Sequence, residues 1–295
     1  MDSTSSPADN DAADLAGEVR EVTTGGWPTG YTYGATRYAD VILKESFSER
    51  FTDLVTALDQ FHPTLEELRT GGGGRTVFVK RFDDSLAEMK RGGQKIWGKQ
   101  KLAIVKHVEL EGTALRTSRT PTHEVDMFGK GTLAEPLPGI AVEMEWNNKD
   151  PFYDRDLNNF QALHREGAIA IGVIVTRGPN LQALIYPTIK SKDGNKKYGQ
   201  ASTHWDKLIP KVNLGGGGEC PLLLVGIEPA RITGIELAQK VKKLLDDAED
   251  FKSDWRNRGF DRWVDAKVVH DQMKAEAEEL MPPLAEVKVP GEPAE

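Results

Sequence analysis

The sequence is poor in cysteine, in long apolar runs and in net positive charge; the first two shortages each remove a class of function and the third needs a closer look. Its 295 residues contain one cysteine, Cys220, so no intrachain disulfide can form. A reducing compartment such as the cytoplasm is the expected setting. The longest apolar stretches, such as Pro221 to Ile227, are the size of a strand and too short to cross a bilayer. The N-terminus has neither the basic start nor the apolar segment of a signal peptide, so no membrane partner is expected. The formal net charge of -8 speaks against a polyanionic partner, but it is unevenly spread. Residues 1–21 and residues 276–295 each carry -5, which leaves +2 for the body of the chain and keeps nucleic acid open as a partner.

What is present reads as α/β. Residues 1–25, rich in Ser, Asp, Ala and Gly, are expected to be disordered; residues 26–281 are expected to form a single domain, and residues 282–295 an acidic, proline-containing tail. From Arg37 to Gln60 the spacing of Phe47, Phe51, Leu54, Val55 and Leu58 predicts helix. Thr76–Val79 reads as a strand, Asp83–Lys90 as a short helix, and Lys101–Leu110, Glu124–Phe128 and Ile140–Trp146 as strands. Asp150-Pro151 has the chemistry of a helix start, with the Asp side chain as cap and a Pro that has no N–H to leave unpaired. Gly167 is the natural stop, and Leu157, Phe160 and Leu163 form the face to be buried.

Ala168–Thr176 is nearly all apolar, as an interior strand covered on both faces would be. Strand, helix and strand in that order predict a right-handed crossover. A helix around His204–Pro210, a strand at Leu222–Ile227 and helices over Ile235–Ala248 and Val264–Leu280 follow. The expected architecture is α/β, a mixed central β-sheet flanked by helices.

The chemistry concentrates at Val142 to Pro151. Glu143 and Glu145 alternate onto one face of the predicted strand, and two like charges there repel and lose solvation unless a cation or a proton offsets the cost. Asp126 lies near the middle of the preceding strand, and a hairpin between them sets it beside Glu143 and Glu145. Three carboxylates suit Mg²⁺, which takes oxygen ligands and keeps several waters. The alternative is a set of solvated acids on an edge strand.

Asp126, the loop, Glu143-x-Glu145, then Asn147-Asn148 and a helix resemble the active-site segment of type II restriction endonucleases of the BamHI and BglII group, within the PD-(D/E)XK nuclease fold. The likeness runs on through Arg177, Ser202-Thr203-His204 and the strand entry Glu219 to Ile227, over about residues 75–230. Two departures stand out: Val125 precedes Asp126 where the general pattern has Pro, and Glu145 stands where it has Lys. A carboxylate there is similar to the BamHI variant, where BglII-like enzymes have Gln.

The resemblance implies Asp126 and Glu143 as metal ligands, Glu145 as the residue that orients or deprotonates the attacking water, and Glu88 as a candidate fourth carboxylate from an upstream helix. It places DNA contacts at Asn147, Asn148, Lys149, Arg177, Asn180, Ser202 and Thr203, with Arg177 suited to a guanine, the alternative being a surface arginine, and with Lys192, Lys196 and Lys197 suited to phosphates, their loop equally reading as a solvated, mobile surface loop. Asn147 and Asn148 equally suit a turn at a helix entry. Arg155 is expected to pair with Asp154, Asp156 or a dimer mate rather than with DNA. His123, His164 and His204 have no zinc-like spacing with Cys220, and the two runs of four glycines lack the ending of a phosphate-binding loop.

The implied activity is Mg²⁺-dependent cleavage of double-stranded DNA by a homodimer at a short palindrome, with GATC-centred sites as the first guess and 5′-phosphate ends. The competing expectations are a non-cleaving DNA-binding protein on the same scaffold and a nuclease that cuts by DNA structure at junctions or lesions.

Overall fold

The computed structural model describes residues 17–70 and 76–283. Residues 1–16 of the expected N-terminal tail and 284–295 of the C-terminal one lie outside the described residues, while within residues 17–25 Arg20–Glu21 already forms strand β1. The chain divides into two compact units.

The first unit comprises the chain up to Phe61 with Val79–Gly178 and Ala201–Ile227, and it holds the whole seven-stranded sheet. Its strands are β1, β2 (Tyr31–Ala35), β5 (Trp97–Leu110), β6 (Thr113–Gly129), β7 (Gly139–Glu145), β8 (Ile169–Arg177) and β9 (Leu222–Ile227). They lie in the order β1-β2-β9-β8-β7-β6-β5. The β7, β8 and β9 strands run parallel and the outer pairs antiparallel, so the sheet is mixed, as expected. A separate small hairpin joins β3 (Lys90–Arg91) and β4 (Gln94–Lys95).

The helical reading of residues 37–60 resolves into α1 (Ala39–Ser46) and α2 (Ser48–Gln60), which meet at Phe47. In α2, Leu54 and Leu58 of the predicted stripe are buried. Helix α3 (Leu65–Arg69) opens on a capping box, Thr64 accepting from the Glu67 N–H while Glu67 accepts from the Thr64 N–H. The strand expected at Thr76–Val79 is helix instead: α4 runs Val77–Ala87, because Phe78, Phe82 and Leu86 recur every four residues and bury one helical face. The β-branched start of the segment hides that stripe.

Helix α5 (Pro151–Arg165) begins where expected but without the expected cap. Asp150 is itself in helical conformation and its side chain makes no capping bond. Its other end follows the rules closely. Gly167, at φ +69°, lets the Ala168 N–H reach the Leu163 carbonyl and the Gly167 N–H reach that of His164, a Schellman closure. Leu157, Phe160 and Leu163 join Ala141, Ile174, Leu222 and Leu224 in one core, with Leu208 and Val212 of α7 (Trp205–Asn213). The Phe160 ring lies over Gly172 so closely that a Cβ there would stand 2.3 Å from it.

The second unit comprises His62–Phe78, Pro179–Gln200 and the chain from Glu228. It carries α3, α6 (Pro179–Thr188) and the long pair α8 (Glu236–Asp254) and α9 (Trp263–Leu280), which pack on one another. Lys197 donates to the Leu68 and Thr70 carbonyls and Tyr198 to that of Leu68. Among the described residues no helix is long and apolar enough to cross a membrane.

Candidate active site

Along β7, Ile140, Val142 and Met144 face one way while Ala141, Glu143 and Glu145 face the other. Ala141 belongs to the α5 core, so the two carboxylates point toward α5, beyond its apolar part. Both are buried, with 1% and 2% of their surface exposed. The β6–β7 register pairs Met127 with Val142, and its next step sets Asp126 opposite Glu143. The Asp126 N–H donates to Glu143 Oε1 at 3.3 Å.

A bulge in β6 lies beside Asp126. Between the pairs Gly98–Phe128 and Gln100–Val125, one residue of β5 faces two of β6, Asp126 and Met127. Val125 and Phe128, three positions apart, consequently share the α5 core. The insertion thus turns Val125 into the core, which plain alternation from Phe128 would have sent to the other face, while Asp126 stays on the Phe128 side opposite Glu143.

A fourth carboxylate, Asp156 of α5, completes the group and is fully buried. Arg155 bridges it: Nη2 lies 2.7 Å from Asp156 Oδ1 and 3.2 Å from Glu145 Oε1. The expected partnership of Arg155 with Asp156 thus holds, whereas Asp154 pairs with Lys211. Asn148 Nδ2 donates to Glu145 Oε2 at 2.7 Å. Behind them, Thr176 donates to the Glu145 carbonyl and meets the Tyr153 hydroxyl at 2.6 Å, which pins the end of the strand.

The electrostatic consequence is large. Burial, then the charges of Asp156 and Asp126, pushes the Glu143 carboxyl well above the ordinary range. Burial and Asp156 push Glu145 up to about 8, against the pull of Asn148 and Arg155. Burial also raises Asp156, with Arg155 opposing it. Glu145 and Asp156 thus face each other as two buried carboxyls that each favour the protonated form.

Asp156 Oδ2 is buried with no hydrogen-bond donor. Oxygen donors crowded in this way fit a hard divalent cation, whose charge would offset the repulsion. Among the described residues no three His, Cys, Asp or Glu side chains are already disposed to hold a metal by themselves. A site that draws on one or two carboxylates, waters and a substrate phosphate has that character.

The remaining expected contacts divide. Glu88 lies exposed in the turn after α4 and is not among the groups acting on Glu143, Glu145 or Asp156. Asn147 and Lys149 are exposed directly after β7, and Asn180 is exposed at the start of α6 in the second unit. Arg177, expected to meet a guanine, is fully buried. Its Nη2 donates to the Ser202 hydroxyl and the Thr203 carbonyl, each at 2.6 Å. Thr203 is buried too, and its N–H donates to the Asn148 carbonyl. A bridge between Lys149 and Ser202 and a bond from Asp150 N–H to the Ala201 carbonyl complete the join. Arg177 therefore holds Ser202 and Thr203, and the backbone bonds of residues 201–203 tie that segment to residues 148–150.

The family model of restriction endonuclease BglII/BglIII matches residues 31–227, which span every element of this carboxylate site. The chain belongs to that family. It is a type II restriction endonuclease of the BglII-like group, hence a site-specific deoxyribonuclease with DNA as its partner. No curated protein matches the chain. The BglII-like assignment covers the whole sheet apart from β1 and stops before α8 and α9.

Sequence reasoning missed Asp156, Tyr153 and Thr176. The signal for the first was available: Tyr153, Asp156 and Leu157, Phe160 and Leu163 recur at helical spacing, so Asp156 falls on the stripe that has to be buried.

Proposed function

We propose that the enzyme is a Mg²⁺-dependent homodimer that hydrolyses one phosphodiester per subunit in duplex DNA at a short palindrome, with GATC-centred sites the first to test. The observation that carries this reading is the convergence of four carboxylates, Asp126 beside Glu143 and Glu145 beside Asp156, with Arg155 bridging only the second pair. A nuclease has to concentrate positive charge on a phosphate, and a buried excess of carboxylates is what attracts a divalent cation.

In this reading Asp126 and Glu143 hold the metal, which when bound polarises the phosphate and makes water more acidic. Glu145 takes the proton of the attacking water. Its raised affinity for a proton suits it to that role once a neighbouring positive charge has stripped it to carboxylate. The water oxygen bonds to phosphorus, the bond to the 3′ oxygen breaks, and the products carry 5′-phosphate and 3′-hydroxyl ends. Asp156 orients Arg155 and repels Glu145 until the site is loaded. Asn147 and Lys149 reach the DNA directly, Asn180 does so from the second unit, and Arg177 with Ser202 and Thr203 holds the reading loop in shape. Glu88 has no part in this scheme.

The test is digestion of plasmid DNA of known sequence in Mg²⁺, with the ends mapped. Cuts at one palindrome bearing 5′-phosphates are expected. Cuts set by DNA structure, or no cuts in any divalent metal, would sink the reading.

A further inference from the structure

A phosphodiester entering the site brings a further negative charge to a group that already holds Asp126, Glu143, Glu145 and Asp156. Among the described residues the only ion-pair partner of these four is Arg155. Its place in the group differs from theirs. The Arg155 side chain is 34% exposed, against 3% for Glu145 and none for Asp156, so the guanidinium reaches solvent while the carboxyls beside it do not.

The donors of Arg155 are unevenly used. Nε and Nη2 both hold Asp156 Oδ1, at 2.8 and 2.7 Å, and Nη2 also reaches Glu145 Oε1 at 3.2 Å. Nη1 bonds to no described residue. Arg155 Cζ also lies over the Phe152 ring, 4.6 Å from its centroid, a contact that steadies a guanidinium without using its N–H groups. One edge, Nε with Nη2, is therefore an anchor on Asp156. The other, Nη1 with the Nη2 proton that now meets Glu145, is open to a ligand beside the residue assigned to the attacking water. Two such N–H groups in one plane match two oxygens of a phosphate.

We infer that Arg155 is a further catalytic residue, whose Nη1 edge donates to a non-bridging oxygen of the scissile phosphate and stabilises the charge spread over those oxygens as water attacks. Asp156 positions the guanidinium and Phe152 supports it, so little reorganisation is needed when DNA arrives. The guanidinium gives up no proton. The water oxygen bonds to phosphorus and its proton passes to Glu145, while the electron pair of the broken bond leaves with the 3′ oxygen, which takes a proton from solvent. The inference rests on the nuclease reading above and adds the phosphate contact to it.

The test uses the full chain in Mg²⁺ with a duplex carrying the site mapped by plasmid digestion. Two further duplexes each have a single sulfur in place of one of the two non-bridging oxygens at the cut. At saturating DNA, Arg155→Ala is expected to cut about a hundredfold or more slower than the wild type, with KM within about threefold. Sulfur at one of the two positions should slow the wild type about tenfold or more and Arg155→Ala no more than about twofold, because the variant has no hydrogen bond there to weaken. Since Arg155→Ala strands a buried aspartate, a second variant, Arg155→Ala with Asp156→Asn, removes both charges together and should show the same small sulfur effect. Cleavage by Arg155→Ala at the wild-type rate, a loss confined to KM, or sulfur effects that match those of the wild type at both positions would overturn the inference and leave Arg155 a partner of Asp156 only. A wild type that cuts no DNA defeats the nuclease reading and this inference with it, whereas a wild type that cuts while Arg155 is indifferent defeats this inference alone.

Discussion

Strand β7 and the outer β5–β6 hairpin, from Ala103 to Pro121, belong to one sheet, yet they break the ordinary rule of burial in opposite directions. The first buries two glutamates where apolar side chains would be cheaper; the second exposes valines and leucines where polar ones would be. Both arrangements cost free energy in the isolated chain, the first by desolvating and crowding carboxylates, the second by leaving apolar surface in water. In this fold the places to look for function are therefore those where burial and polarity disagree.

The sharpest way to break the β7 side of the comparison is to remove a carboxylate. Glu143→Ala is expected to cut plasmid in Mg²⁺ at on the order of a thousandth of the wild-type rate or less. Wild-type cleavage by that variant would remove Glu143 from the site. Asp156→Asn should act more mildly, about ten- to a hundredfold on rate, because it works through Arg155 and Glu145. Loss of the repulsive charge should also lower the Glu145 carboxyl, so the pH–rate profile should move to lower pH; a uniform loss at every pH would make Asp156 merely structural.

Stability offers a test that needs no substrate. Glu145 binds its proton more tightly folded than unfolded, with a value near 8 against 4.5. Stability from this group is therefore fully present below about pH 4.5 and is lost as pH rises through 8, a change of a few kcal/mol at most. Metal-free thermal melts should fall across that window, and Glu145→Gln should flatten the fall. An identical slope in the variant would contradict the assigned burial.

The smallest effect compares the two strands directly. Val142→Thr, in β7, should cost about 1–3 kcal/mol because its hydroxyl is buried without a partner. Val105→Thr, on the hairpin, should cost within about 0.5 kcal/mol. Equal losses would mean that the hairpin is packed within its own chain.

Much of the fold and of the site is legible in the sequence. The alternation of Glu143 and Glu145, the apolar run after Gly167 and the stripe through Phe160 each carry a period that maps directly onto a face. Residues 76–79 mislead because β-branched residues at a helix start look like strand until the later turns of the stripe are counted. Arg177 misleads differently: a basic residue at the end of a strand reads as a ligand contact, and nothing local reveals that the carbonyl of Thr203 and the hydroxyl of Ser202 take up its donors. The bulge at Asp126 and the outer β5–β6 hairpin are likewise invisible to local pattern, because each is a matter of register between strands.

By itself the sequence determined the mixed α/β architecture, because periodicity is a property of the chain, and its motifs resembled the family that the family model then matched over residues 31–227; it also set Asp126, Glu143 and Glu145 on neighbouring strands. Only the tertiary structure decided that Asp156 joins them, that burial beside Asp156 pushes the Glu145 carboxyl up to about 8, and that Arg177 spends donors on Ser202 and Thr203. Those depend on which side chains from distant segments share a volume without water, and burial on that scale exists only once the sheet and α5 have closed on each other.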